Sequence, residues 1–136
     1  MNKLGVAHLI LVSTWGGVVL AETILEVLGR KDTALAVRAH YFIDILVEIP
    51  LLISVLLTGT LLLLRSWPPS WLLWAKLISA SIAVAVNLGC AVFVILRYRH
   101  RHDPALAERY GRLVRYSGLG VPFGVGSAYL GLAYFS

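Results

Sequence analysis

Four apolar segments, each about as long as a bilayer is thick, follow one another with only short connections. They cover roughly 5–28, 39–64, 70–96 and 116–135, joined at 29–38, 65–69 and 97–115. At about 1.5 Å of helix rise per residue and about 30 Å of hydrocarbon, one span needs roughly 20 residues. Four spans use almost the whole of a 136-residue chain. Short connections make sequence neighbours antiparallel. The expected fold is therefore all-α, a single integral membrane domain over 1–136 built as a four-helix transmembrane bundle. With 59% hydrophobic and only 14% charged residues, the chain lacks the polar shell of a soluble domain. No length remains for a separate catalytic or nucleic-acid-binding domain, so any chemistry belongs to side chains inside the bundle or at its rim.

The first segment, from Gly5 to Gly29, is too long for a signal-peptide core and is interrupted by Glu22 and Glu26, so it reads as a span. The net charge of +5 is explained by topology. Arg30, Lys31, Arg38, Arg97, Arg99, Arg101, Arg109, Arg112 and Arg115 gather at one side, and Lys3, Arg65 and Lys76 at the other. By the positive-inside rule the first and third connections are cytoplasmic and both termini lie on the non-cytoplasmic side, in a membrane of the bacterial inner-membrane type. The expected partner is the lipid bilayer, with no nucleic acid. In the second connection Pro68 and Pro69 stop the helix, and Trp67, Trp71 and Trp74 stand where an interfacial aromatic belt belongs. Pro50 and Pro122 fall inside spans and predict local bends. Cys90 stands alone, which excludes a disulfide and a thiolate zinc motif and leaves it as a packing residue. Gly118, Gly120, Gly124, Gly126 and Gly131 give the fourth segment a small-residue seam, within the bundle or between the protomers of a homo-oligomer.

Ionisable groups at membrane depth cost a few kcal/mol or more each, so their presence points to function. Glu22, Glu26, Asp44 and Glu48 lie in the apolar segments, with His8, His40, Lys76 and Asn87. At about 100° per residue, His8, Trp15, Glu22 and Glu26 share one face of the first helix. His40, Asp44 and Glu48 form an i, i+4, i+8 stripe on the second, with Thr58 further along, and Lys76, Ala83, Asn87, Cys90 and Val94 form one on the third. An antiparallel hairpin sets Glu22 level with Asp44, Glu26 beside His40, and Asn87 at the level of Glu48. Two polar levels result: an inner carboxylate and histidine cluster, and an outer pair of His8 and Lys76.

Carboxylates packed together repel one another unless a cation joins them. Glu22, Glu26, His40, Asp44 and Glu48 offer oxygen and imidazole donors without thiolate, which suits one or two ions of Zn, Mn or Fe, a dinuclear centre included. The leading expectation is a membrane metalloprotein with a redox or metal-handling role. A proton- or cation-coupled transporter using the carboxylates as a relay is the alternative within the same cluster.

The run Ala7-His8-Leu9-Ile10, then Trp15-Gly16-Gly17, a proline-containing second helix, and Trp71 with Lys76 in the third resembles the HemJ-type membrane protoporphyrinogen oxidases and their copper-resistance-D-like relatives. The resemblance implies a small helical membrane oxidoreductase that binds haem b, with His8 and Lys76 as its functional positions. The inner cluster is no part of that family's pattern.

Overall fold

In the computed structural model, which describes residues 3–29 and 33–135, the chain is helical almost throughout. Helix α1 covers Lys3–Leu28. Helix α2 (Thr33–Ile43), a π turn (Asp44–Glu48) and helix α3 (Ile49–Arg65) follow as one rod. Helix α4 is Trp71–Arg99. Helix α5 (Pro104–Ser117), a 3-10 turn (Gly118–Gly120) and helix α6 (Val121–Phe135) complete the chain. Three helices are long and apolar enough to cross a membrane: Lys3–Leu28, Thr33–Arg65 and Trp71–Arg99. Arg30 and Lys31, counted above for topology, lie outside the described residues.

The fourth element differs from a plain span over 116–135. Its helix begins already at Pro104, so most of the connection expected at 97–115 is helical. The cause is a strong start signal: the Asp103 carboxylate accepts from the amides of Ala105 and Leu106 at 3.0 and 3.2 Å, and Pro104 occupies the first turn, where an amide is not needed. At the far end of the bundle Ser70 caps α4, accepting from the Leu73 amide at 3.3 Å.

Each interior proline has an irregular turn immediately before it. Pro50 follows the π turn, in which the Ile49 amide reaches back five residues to the Asp44 carbonyl. Pro122 follows the 3-10 turn. A proline removes one helical amide and crowds the carbonyl four residues earlier, and a change of helical pitch relieves both. The π turn also carries Asp44 and Glu48, so the backbone irregularity and the acidic cluster coincide.

Helix α4 is the centre of the packing. It lies against α2 near its basic C-terminal end and against α5 and α6 along its length, while α1 runs beside α3. The glycine seam of α6 is used inside the chain. A Cβ on Gly120 would stand 2.6 Å from Val86, and those on Gly124 and Gly126 would touch Ala83 and Ser79. Two hydroxyls fasten the same interface: Ser79 donates to the Phe123 carbonyl at 2.7 Å and Ser127 to the Lys76 carbonyl at 3.4 Å. Gly16 and Gly17, by contrast, have open space where a Cβ would stand and make no close approach among the described residues.

Polarity is inverted relative to a soluble bundle. Glu22, His40, Asp44, Glu48 and Arg97 are buried, while leucines, isoleucines and valines such as Ile10, Leu20, Leu46 and Leu57 face outward. Apolar surroundings suit that exterior, and the interior polar groups must then find their partners in each other.

Candidate metal centre

The buried polar groups stack in three layers from the basic end of the bundle inward. The first is Glu26, His40 and Arg97. Arg97 donates through one guanidinium nitrogen to both Glu26 oxygens at 2.8 and 3.0 Å, a charge-assisted contact between side chains only 7% and 10% exposed. Nδ1 of His40 stands 2.7 Å from Oε1 of the same carboxylate. Glu26 therefore holds the imidazole by one nitrogen and is itself held by Arg97. A carboxylate that accepts from Nδ1–H fixes the tautomer and leaves the Nε2 lone pair free to bind a cation.

That lone pair belongs to the second layer. Nε2 of His40 lies 3.9 Å from Oε2 of Glu22 and 3.7 Å from Oδ1 of Asp44. One donor atom from each of Glu22, His40 and Asp44 falls within 4.8 Å of the other two, and all three residues are buried. Asp44 is 1% exposed and Glu22 is 5% exposed. Oε1 of Glu22 and both oxygens of Asp44 have no hydrogen-bond partner among the described residues. A four-coordinate ion at about 2.0–2.2 Å from its ligands holds them about 3.4 Å apart. The two carboxylate oxygens stand about 0.3–0.5 Å further than that from His40 Nε2, within reach of side-chain adjustment.

The third layer, deeper by the helix rise, is Trp15, Glu48 and Asn87. Oε1 of Glu48 accepts from the Trp15 indole at 3.1 Å and from the Asn87 amide at 2.5 Å. Glu48 lies next to the three-donor group and its Oε1 is already engaged twice.

All five residues named from the sequence thus converge on one volume, but in different positions. Glu22, His40 and Asp44 present donors to a common point, Glu26 orients His40, and Glu48 is tied to Trp15 and Asn87. Arg97 was counted above only as a topological charge, yet it reaches into the cluster. The signal was its place in the last turn of α4, where an inward-facing arginine has the reach to meet the Glu26 carboxylate of the same layer. Gly111 of α5 makes room for it: a Cβ there would stand 3.2 Å from Arg97 Nε.

His8 and Lys76 come together elsewhere, nearer the end of the bundle that carries Trp67, Trp71 and Trp74. Both line a cavity of about 440 Å³ between α1, α3, α4 and α6. His8 Nδ1 is 2.8 Å from the Thr58 hydroxyl, which itself lies 2.8 Å from the Ser54 carbonyl. The hydroxyl has one proton and gives it to the helix, so His8 donates through Nδ1. The ring approaches Gly59 through its Cε1, which would stand 3.2 Å from a Cβ there. Lys76 does not reach straight out to an interface; its Nζ folds over Gly131, 3.0 Å from where a Cβ would be.

Comparison of the chain with protein-family models, with curated proteins and with solved structures yields no match.

Proposed function

We propose that this chain is an integral membrane protein that binds a divalent transition-metal ion between α1, α2 and the π turn through Glu22, His40 and Asp44. One observation carries the reading. Three buried donors from two antiparallel helices meet within 4.8 Å, and Oε1 of Glu22 and both oxygens of Asp44 have no hydrogen-bond partner among the described residues. Leaving two carboxylates so close in a dry interior is costly without a cation. A divalent ion turns the repulsion into ligation.

The donor set narrows the ion and its use. Two oxygens and one imidazole nitrogen, without thiolate, favour Zn, Mn or Fe over soft copper sites. Three protein ligands leave a coordination position for water or a substrate, as in reactive or exchanging sites rather than closed structural ones. Metal handling or metal-centred redox chemistry is the role that fits. Glu26 and Arg97 act on the ion through His40, and the centre is mononuclear, with Glu48 outside the ligand set. Both connections at the basic end face the cytoplasm in this reading, and the ion sits about two helix turns from that surface.

Chelator-treated, tag-free protein in detergent, titrated calorimetrically with Zn²⁺ and then Mn²⁺, tests the assignment. Saturable binding in wild type and its loss in His40→Ala, with helix content intact by circular dichroism, is the expected result. Equal binding by wild type and His40→Ala would remove the histidine from the site. A chain that binds neither ion but conducts protons in liposomes would instead favour the carboxylate relay.

A further inference from the structure

Helix α5 departs from the apolar exterior of the bundle. Its buried residues are Gly111 and Val114, and Gly111 stands against Arg97 of α4. Arg109, Arg112, Tyr116 and Leu119 are exposed, and their i, i+3, i+7, i+10 spacing sets them on one outward stripe. The stripe begins cationic and ends apolar over about 15 Å of helix rise. Register with α4 gives it depth. Gly111 faces Arg97, Gly120 faces Val86 and Gly126 faces Ser79, so α5, the 3-10 turn and α6 run antiparallel to α4. Arg109 and Arg112 then stand level with the last two turns of α4, beside its basic end, and Leu119 stands near the level of Asn87. Leu88 and Val92, at the depth of Leu119 and Tyr116, are exposed as well. The stripe thus passes from the headgroup level into the hydrocarbon.

The acidic groups nearby are already engaged. Glu108, the single carboxylate of α5, lies 3.3 Å from Arg115, and Asp103 accepts from the amides of Ala105 and Leu106. Among the described residues the side chains of Arg109 and Arg112 have neither an ion pair nor a hydrogen bond. Three residues apart on one helix, they are neighbours, and two planar guanidiniums at that spacing can share the oxygens of one phosphate.

We infer that this stripe holds an anionic phospholipid, its phosphate between Arg109 and Arg112 and its acyl chains along Tyr116 and Leu119. The two guanidiniums complement the head, and the apolar side chains deeper on the same face meet the tails. A soluble polyanion would use the first and leave the second uncovered, so a lipid fits the whole stripe and a nucleic acid only half of it. Basic side chains at the cytoplasmic ends of membrane helices recognise anionic headgroups by the same contacts. The site rests on the membrane reading of the chain and is independent of the metal.

The test titrates delipidated, detergent-purified full-length chain with phosphatidylglycerol and with phosphatidylcholine and reads the first bound lipid by native mass spectrometry. Each arginine near an anionic lipid head is worth about fivefold in affinity, so phosphatidylglycerol is expected to bind about 10–30-fold more tightly than phosphatidylcholine. Arg109→Gln with Arg112→Gln should bring that preference below about twofold. Arg99→Gln with Arg101→Gln removes the same charge from the same end and should keep most of it. Circular dichroism shows that each variant is folded, and flotation of every variant with phosphatidylcholine vesicles checks the membrane reading separately. A wild type without headgroup preference overturns the inference. So does an equal loss in both double variants, since the preference would then come from the diffuse field of the basic end. Binding of a random-sequence DNA duplex in preference to phosphatidylglycerol would likewise take the stripe away from lipid.

Discussion

Arg97→Met keeps most of the side-chain length and removes the charge that faces Glu26. In the native chain the guanidinium contacts both carboxylate oxygens at 2.8 and 3.0 Å, and the two side chains are 7% and 10% exposed. Two magnitudes compete. A neutral interhelical hydrogen bond in a membrane contributes on average only about 0.6 kcal/mol. A buried carboxylate stripped of its counter-charge costs about 3–5 kcal/mol. The second governs here, because the variant leaves a charge in place rather than a dipole. The His40 contact at 2.7 Å survives, which places the expected loss toward the lower end of that range. Arg97→Met with Glu26→Gln removes both charges, and most of the loss should return. Reversible unfolding of the four proteins in mixed micelles, driven by sodium dodecyl sulfate and followed by circular dichroism, measures this cycle. A loss for Arg97→Met of less than about 1 kcal/mol, the value of an exposed pair, would refute the reasoning. A double variant as unstable as the sum of the singles would refute it too.

Glu26→Gln alone should weaken Zn²⁺ binding by about 10–100-fold in calorimetric titration, because it loosens the partner that orients His40 without touching a ligand. Glu48→Ala orphans the Trp15 indole and the Asn87 amide and should cost about 1–3 kcal/mol in the micelle assay while leaving Zn²⁺ affinity unchanged. Gly120→Ala drives a methyl into Val86 and should destabilise by about 1–3 kcal/mol, with Val86→Ala restoring much of it in the double variant. Cysteine-labelling reagents that do not cross membranes should reach a cysteine placed at 102 only from the cytoplasmic side and one placed at 68 only from the other; the reverse pattern would invert the topology.

The sequence carried the rods and the polar faces because period and length are local properties. The stripes on α1 and on α2 with the π turn do face each other, and the layers of Glu22 with Asp44, Glu26 with His40 and Asn87 with Glu48 follow from helix rise alone. Division of labour among the carboxylates is not local. Glu26 becomes an orienting group only because Arg97, 71 residues away in sequence, reaches it, and that approach depends on how α4 crosses α2 and on the space left by Gly111. Trp15-Gly16-Gly17 reads in the sequence as a flat, close-approach face for helix packing or a planar ligand, but no described residue packs where a Cβ of Gly16 or Gly17 would stand, because which neighbour a face meets is not a local property. The extent of α5 was visible in part: Asp103-Pro104 is a start signal, but the amphipathic stretch after it is too polar to register as a span.

The central claim is that Glu22, His40 and Asp44 hold an ion, and the ratio of metal to protein tests it most directly. Elemental analysis of tag-free wild type, Glu22→Ala and Asp44→Ala, purified side by side in the same detergent and reconstituted with Zn, Mn and Fe in turn, gives that ratio. A stoichiometric ion in wild type that is largely missing from both variants, with all three proteins retaining their helix content, is the predicted result. A wild type that stays metal-free with every ion, or variants that keep its full metal content, would contradict the account.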